Sequence, residues 1–240
     1  MKLRCVWEHN GYDTLLYAAD YPGAFARAKN LDSAVEKMPR EMVSYLRWCG
    51  LSVPANFEIE IIQAKSSDLQ IRDADSDVLF DSEQAPLTQA EYDFLKGLTL
   101  KSAGDFLALY HAIEDKDHSC LPCRATFYGQ VPRTAREMYE HTKNVNAYYF
   151  GEIGAEADNT GDILQCRQRG FVLLEQQPDF LTLPATEGSY GEHWSLRKVL
   201  RRFLWHDRIH AKAMYRMAKA TFGATSVPDI FCFEEATSTD

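Results

Sequence analysis

The stretch 196-LRKVLRRFLWHDRIHAKAMYRM-217 decides how this chain is read. Leu196, Val199, Phe203, His206, His210, Ala213, Met214 and Met217 recur at helical spacing and share one face of a 3.6-residue helix. Two of those positions, four apart, hold histidine where Leu or Ile is expected. The pattern predicts a helix from near Glu192 to Phe222, with Gly223 just past its end.

A second stretch, 134-TAREMYEHTKNVNAY-148, repeats the substitution: Thr134, Met138, His141, Val145 and Tyr148 form a stripe with His141 at its centre. Burying imidazoles in a core is costly unless their nitrogens find partners. An i, i+4 pair sets two rings on adjacent turns, and a third from a neighbouring helix supplies three metal ligands with an open position, the pattern of catalytic sites. The alternative stays open here, since a histidine on an apolar stripe is commonly a packed residue satisfied by a neighbour.

Two more helices complete the C-terminal half. Thr88 and Glu91 form a capping-box signature opening a helix to about Ile113, with a break expected near Gly104. Another spans about Thr160 to Gln177, ended by Pro178. The helix carrying His141 runs from Thr134 to about Ile153. Four helices with modest connections predict a four-helix bundle over 87–232, with 233–240 a flexible tail.

The N-terminal end has a different period. Leu3, Cys5 and Trp7 alternate with other residues, His9-Asn10-Gly11 supplies a hairpin turn, and strands are expected at Thr14 to Ala19 and Phe25 to Ala28. A helix follows from about Ser33 to Trp48, then an alternating strand at Phe57 to Ile62. This β-β-β-α-β domain covers 1–65, and the acidic stretch 66–86 reads as a linker. The expected class is therefore a two-domain α+β chain.

Two family resemblances attach to these segments. REMYEHTKNVNAYYFGEI and HWSLRKVLRRFLWHDRIHAKAM resemble the signature helices of DinB-like proteins. His141 matches the family's histidine on the second helix, and His206 with His210 matches its H-x-x-x-H on the fourth. The resemblance implies a metal-binding four-helix bundle and one divalent transition metal ion, zinc or nickel foremost, with iron or manganese also compatible with imidazole. It also implies a homodimer and a small-molecule substrate, with thiol S-transfer using a low-molecular-weight thiol, thiol-dependent isomerisation or hydrolysis as the reaction range. The stretch NGYDTLLYAADYPGAFARAKNLDSAVEKMPREMVSYL resembles a HicB-like domain through Asp20-Tyr21-Pro22-Gly23 and Asp32-Ser33-Ala34. That family's module is the antitoxin partner of a small RNA-cleaving toxin, but no DNA-binding segment follows it here. The alternative function is thus a non-catalytic binding protein, with a HicB-like recognition module beside a metal-stabilised bundle.

Around the three histidines, helical spacing nominates Asn144 and Glu137, one turn either side of His141, as acceptors for an imidazole N–H. Tyr148 and Tyr149 are candidates to line a pocket, and Arg202, one turn before His206, to meet an anionic substrate. Asp207 is expected off the stripe, structural or at the surface. No catalytic acid, base or nucleophile is identifiable. Cys120-Leu121-Pro122-Cys123 is a C-x-x-C in a loop, a candidate redox pair whose simpler reading is two reduced thiols.

Composition bounds the rest. With 35 acidic against 26 basic residues, the net charge of -9 opposes binding to nucleic acid or anionic membranes. The cluster Arg197, Lys198, Arg201 and Arg202 is read as a solvated helix face. No run approaches the ~18 apolar residues of a membrane span, and the N-terminus has no secretory pattern, so a cytoplasmic protein with reduced cysteines is expected.

Overall fold

The computed structural model describes residues 1–126 and 129–234. The fold is α+β, with a small mixed sheet and, among the described residues, five α-helices. Among the described residues the chain divides into two compact units: Met1–Ser82 together with residues 229–234, and Glu83–Pro228.

In the first unit the order is β1 (Lys2–His9), β2 (Thr14–Ala18), β3 (Phe25–Ala28), α1 (Leu31–Trp48) and β4 (Glu58–Ser66). The sheet order is β3-β2-β1-β4, antiparallel except for the parallel β1–β4 pair. The β1–β2 turn forms because Gly11 takes φ +88° and Asn10 Oδ1 accepts from the backbone N–H groups of Tyr12 and Asp13 at 3.0 and 2.8 Å. Asn30 caps α1 by accepting from Ser33 N at 2.9 Å.

All five residues of β2 are buried, so the sheet is covered on both faces there. Helix α1 packs along β2 and β3. The opposite face takes the segment expected to be a linker. Ile71, Val78 and Phe80 are buried, and the Phe80 ring lies 5.5 Å from that of Tyr17. A buried carboxylate fastens this segment. Glu8 accepts from Ser76 Oγ at 2.5 Å, from Asp77 N at 3.1 Å, from Val78 N at 3.2 Å and from Tyr17 Oη at 3.2 Å. An acidic stretch looks like linker in sequence because nothing local shows which carboxylate its amides will solvate.

The chain end corrects a second boundary. Phe231 is buried, stacks on Trp48 at 5.4 Å and accepts at its carbonyl from Ser44 Oγ at 3.4 Å. Residues 229–234 therefore belong with the first unit, not with the helices that precede them. Of the expected tail, 235–240 lie outside the described residues.

The second unit contains α2 (Gln89–Ala112), the short strands β5 (Ala125–Thr126) and β6 (Gly129–Gln130), α3 (Ala135–Gly151), α4 (Ile163–Glu175), the short strands β7 (Thr186–Glu187) and β8 (His193–Trp194), and α5 (Leu196–Phe222). Capping boxes open three helices: Thr88 with Glu91, Thr134 with Glu137, and Asp162 with Gln165. Helix α2 runs unbroken through Gly104, whose helical cost of ~1 kcal/mol relative to Ala is outweighed by burial of its neighbours Ala103 and Phe106. Helix α5 starts at Leu196 under a Ser195 cap, because His193–Trp194 pairs as a strand with Thr186–Glu187.

Helices α2 and α3 each pack against both α4 and α5. Their core joins Tyr92 and Leu95 of α2, Tyr149 and Phe150 of α3, Phe171 and Leu174 of α4, and Leu196, Val199, Leu200 and Phe203 of α5. Gly170 permits a close approach of α4 to α3, since a Cβ there would fall 2.1 Å from the Phe150 ring.

The basic cluster at the start of α5 is not a solvated face. Lys198 is fully buried, donates to His193 O at 2.6 Å and pairs with Glu192 at 2.9 Å. Arg201 is buried against the Glu83 carboxylate, and Arg197 reaches Ala85 O, Pro86 O and Glu91. Helix α5 is enclosed through much of its first half, so even its polar positions must find partners inside.

Candidate metal centre

Helix α5 brings His206 and His210 to one face because four residues turn an α-helix by about 40° past a full revolution. Helix α3 supplies His141. The three ring centroids lie 4.5 Å (His206–His210), 4.6 Å (His141–His210) and 5.1 Å (His141–His206) apart. One ligand nitrogen from each ring lies within 4.8 Å of the other two, so the cluster can hold a metal ion.

The site is graded from core to surface. His206 is buried, His210 half-buried and His141 exposed. The stripe on α3 is turned from its expected position: Ala135, Met138, Tyr139, Thr142, Asn146, Tyr149 and Phe150 are buried, and His141 sits on the rim beside them. The site therefore has an open side at His141. Its closed side is aromatic, with the Tyr149 ring edge-on to His206 at 6.1 Å.

Burial sets the protonation of the three rings. It pulls His206 well below its usual value, aided by the neighbouring His210 and His141. It holds His210 at about 3, with His141 adding to the effect. Packing lowers His141 as well, although its outer edge meets solvent. At neutral pH all three imidazoles are neutral and carry a lone pair, the form a metal requires.

The donor set fits an imidazole-binding ion on distance too. His141 Nε2 and His206 Nε2 are 3.3 Å apart. Two nitrogens each ~2.0–2.1 Å from a tetrahedral zinc are separated by about 3.3–3.4 Å.

The surrounding candidates divide sharply. Glu137 is engaged at the start of α3, where its Oε2 accepts from Arg133 N at 2.8 Å and Thr134 N at 3.1 Å. Asn144 is exposed, and its carbonyl accepts from Asn159 Nδ2 at 3.1 Å. The structure shows neither one bonded to a histidine of the site, and the buried Nδ1 of His206 has no hydrogen-bond partner among the described residues. Tyr148 is half-buried, with its ring 5.5 Å from Tyr149 and 5.7 Å from Trp194. Arg202 lies over Trp205 at 4.8 Å and over Tyr149 and Trp194 at 5.6 Å each, a cation among aromatic faces on the same side of α5 as His206.

Cys120 and Cys123 are exposed free thiols elsewhere in this unit. Cys120 N donates to Thr221 Oγ1 at 3.1 Å, and Thr221 Oγ1 donates to Cys120 Sγ at 3.4 Å, which ties the loop to the last turn of α5. His111 and His193 are exposed and lie apart from this cluster.

Of the two roles expected for Asp207, structural or surface, the structure shows the structural one. It is fully buried and receives both terminal nitrogens of Arg167 at 3.3 Å each. Burial raises its carboxyl and the Arg167 guanidinium opposes the rise. A signal existed in the sequence, because Arg167 stands on the inward stripe of α4 with Ile163, Cys166, Gly170, Phe171 and Leu174. An arginine on such a stripe needs a buried acceptor.

Among the described residues, no helix is long and apolar enough to cross a membrane. Comparison with protein-family models, with curated proteins and with solved structures returned no match.

Proposed function

We propose that Glu83–Pro228 is a DinB-like four-helix bundle whose His141, His206 and His210 hold one divalent transition metal ion, zinc or nickel, and that the protein is a metal-dependent enzyme acting on a small molecule. The observation that supports this most is the convergence of three neutral imidazoles from two helices, 65 residues apart in sequence, on a space of atomic size. One N–H···N hydrogen bond would account for a pair of them, but not for the third.

His141, His206 and His210 would hold such an ion, which would supply Lewis-acid chemistry able to make a thiol or water a usable nucleophile near neutral pH. Thiol S-transfer or hydrolysis is the reaction class that this chemistry and the resemblance suggest together. The chain's own residues would do the following. His206 and His210 offer their lone pairs from the enclosed side, and His141 completes the set at the rim, where a substrate can enter. Tyr149 and Phe203 pack ring to edge at 5.1 Å and keep water from the inner side. Arg202 adds positive charge one turn from His206, suited to an anionic group on the substrate. The N-terminal unit is assigned the HicB-like module that its sequence resembles, without chemistry of its own.

Elemental analysis of untagged protein beside its His206→Ala variant tests the reading. About one equivalent of a transition metal is expected in the wild type and little in the variant. A variant that retains the full equivalent would refute the ligand set.

A further inference from the structure

A second buried polar cluster lies behind the histidines and joins three helices. Arg167 on α4 donates both terminal nitrogens to Asp207 on α5 at 3.3 Å, and its Nε donates to Asn146 Oδ1 on α3 at 3.3 Å. Asn146 Nδ2 in turn donates to Asp158 O at 2.9 Å and Cys166 O at 3.3 Å. The guanidinium lies 3.7 Å over the Phe203 ring. Arg167, Asp207 and Asn146 are all fully buried.

Burying an arginine and a carboxylate is rarely a gain in stability over apolar packing. Such pairs are good at fixing one arrangement, because any other leaves a charge without its partner. Here the arrangement fixed is the one that makes the histidines converge. Asp207 adjoins His206 on α5 and Asn146 lies five residues beyond His141 on α3. On α5, His206 and His210 lie about 100° and 60° from Asp207 on the same side, so Asp207 pointing at Arg167 dictates where both rings point. Side-chain tips sit roughly 5–6 Å from a helix axis, so a 20° turn of α5 would move them about 2 Å, the length of a metal–nitrogen bond.

We infer that the Asn146–Arg167–Asp207 cluster is a positioning device for the metal centre, locking the rotation of α5 against α3 so that His206 and His210 meet His141. This rests on the metal reading above. None of the three residues touches the metal position; they act through the helices that carry the ligands.

The test uses the full-length protein stripped of metal and titrated with cobalt(II) alone, with affinity from chelator competition and the visible ligand-field spectrum as a second readout. Asp207→Asn is expected to weaken cobalt binding roughly 10- to 100-fold and to alter the spectrum. Glu83→Gln is the control: it disturbs another buried ion pair on α5, with Arg201, and is expected to lower the unfolding midpoint while cobalt affinity stays within about twofold. Asn146→Ser, which leaves the Arg167–Asp207 pair whole, should weaken binding in the same direction and carries the test if Asp207→Asn does not fold. Wild-type affinity in Asp207→Asn or Asn146→Ser, or equal weakening in Glu83→Gln, would overturn the proposal while leaving the ligand set intact. A wild type that binds no cobalt overturns the metal reading, and the positioning proposal with it.

Discussion

His141 Nε2 lies 3.3 Å from His206 Nε2, a contact between an exposed ring on α3 and a buried ring on α5. Two neutral imidazoles at that distance either share a proton or face a common ion. The arrangement gains its chemical meaning from His210, which stands 4.6 Å from the first ring and 4.5 Å from the second, centroid to centroid.

Replacing ligands should separate metal from fold. His206→Ala removes the buried donor and should abolish tight metal binding while far-UV circular dichroism remains helical. His141→Ala, at the rim, should weaken binding with a smaller loss of stability than His206→Ala, because less buried surface is deleted. Metal content by elemental analysis, beside unfolding midpoints, reads both.

Acid should destabilise the metal-free protein in a defined window. His206 and His210 have pKa values depressed in the folded state, so the unfolded chain binds protons first as pH falls below ~6.5. Their stabilising effect is complete above that pH and is lost progressively on the way down to about 3 for His210, with a slope of at most ~1.4 kcal/mol per pH unit for each ring. Urea unfolding at several pH values should show this slope, and His210→Leu should flatten it. An unchanged slope in that variant would remove His210 as its source.

Gly170→Ala tests the close approach of α3 and α4. The added methyl would overlap the buried Phe150 ring, and a cost of ~1–3 kcal/mol is expected in denaturant unfolding. Gly97→Ala, in the helix interior of α2 with open space at its Cβ, should instead be neutral or stabilising.

Glu8 holds the first unit's return segment through its carboxylate. Glu8→Leu would leave the Asp77 and Val78 amides and the Ser76 hydroxyl without this acceptor, at a cost of roughly 3 kcal/mol or more. Hydrogen exchange should show protection lost at Asp77 and Val78, while amides of α4 keep theirs.

Thiol labelling should rank the cysteines. Cys120 and Cys123 are exposed and should react first with an aromatic disulfide reagent. Cys5, whose thiol burial pushes up to about 12, and buried Cys166, also raised, should stay unreactive until unfolding. Mass mapping of a timed reaction distinguishes the sites.

Local chemistry alone determined where most elements lie. Asn10-Gly11, the capping residues Thr88 and Thr134, and the helical spacing from Leu196 to Met217 act over a few residues, so β-β-β-α-β and the helices after it were legible, as were the three histidines. The tertiary structure decided what those elements turn toward. His141 reads as the centre of a stripe but lies on a rim, because α3 buries the neighbouring face containing Met138, Thr142 and Tyr149. Lys198 and Arg201 read as a solvated face but are enclosed, and Asp207, read as structural or surface, is structural, since their partners Glu192, Glu83 and Arg167 come from separate segments. The stretch expected to be a linker is packed because the carboxylate its amides need is on β1, and Phe231 belongs to the first unit because Trp48 offers it a face. Periodicity reports which side of an element is apolar. Pairing of buried charges, and the residue that an inward-facing side chain meets, depend on contacts distant in sequence, and only the folded chain supplies them.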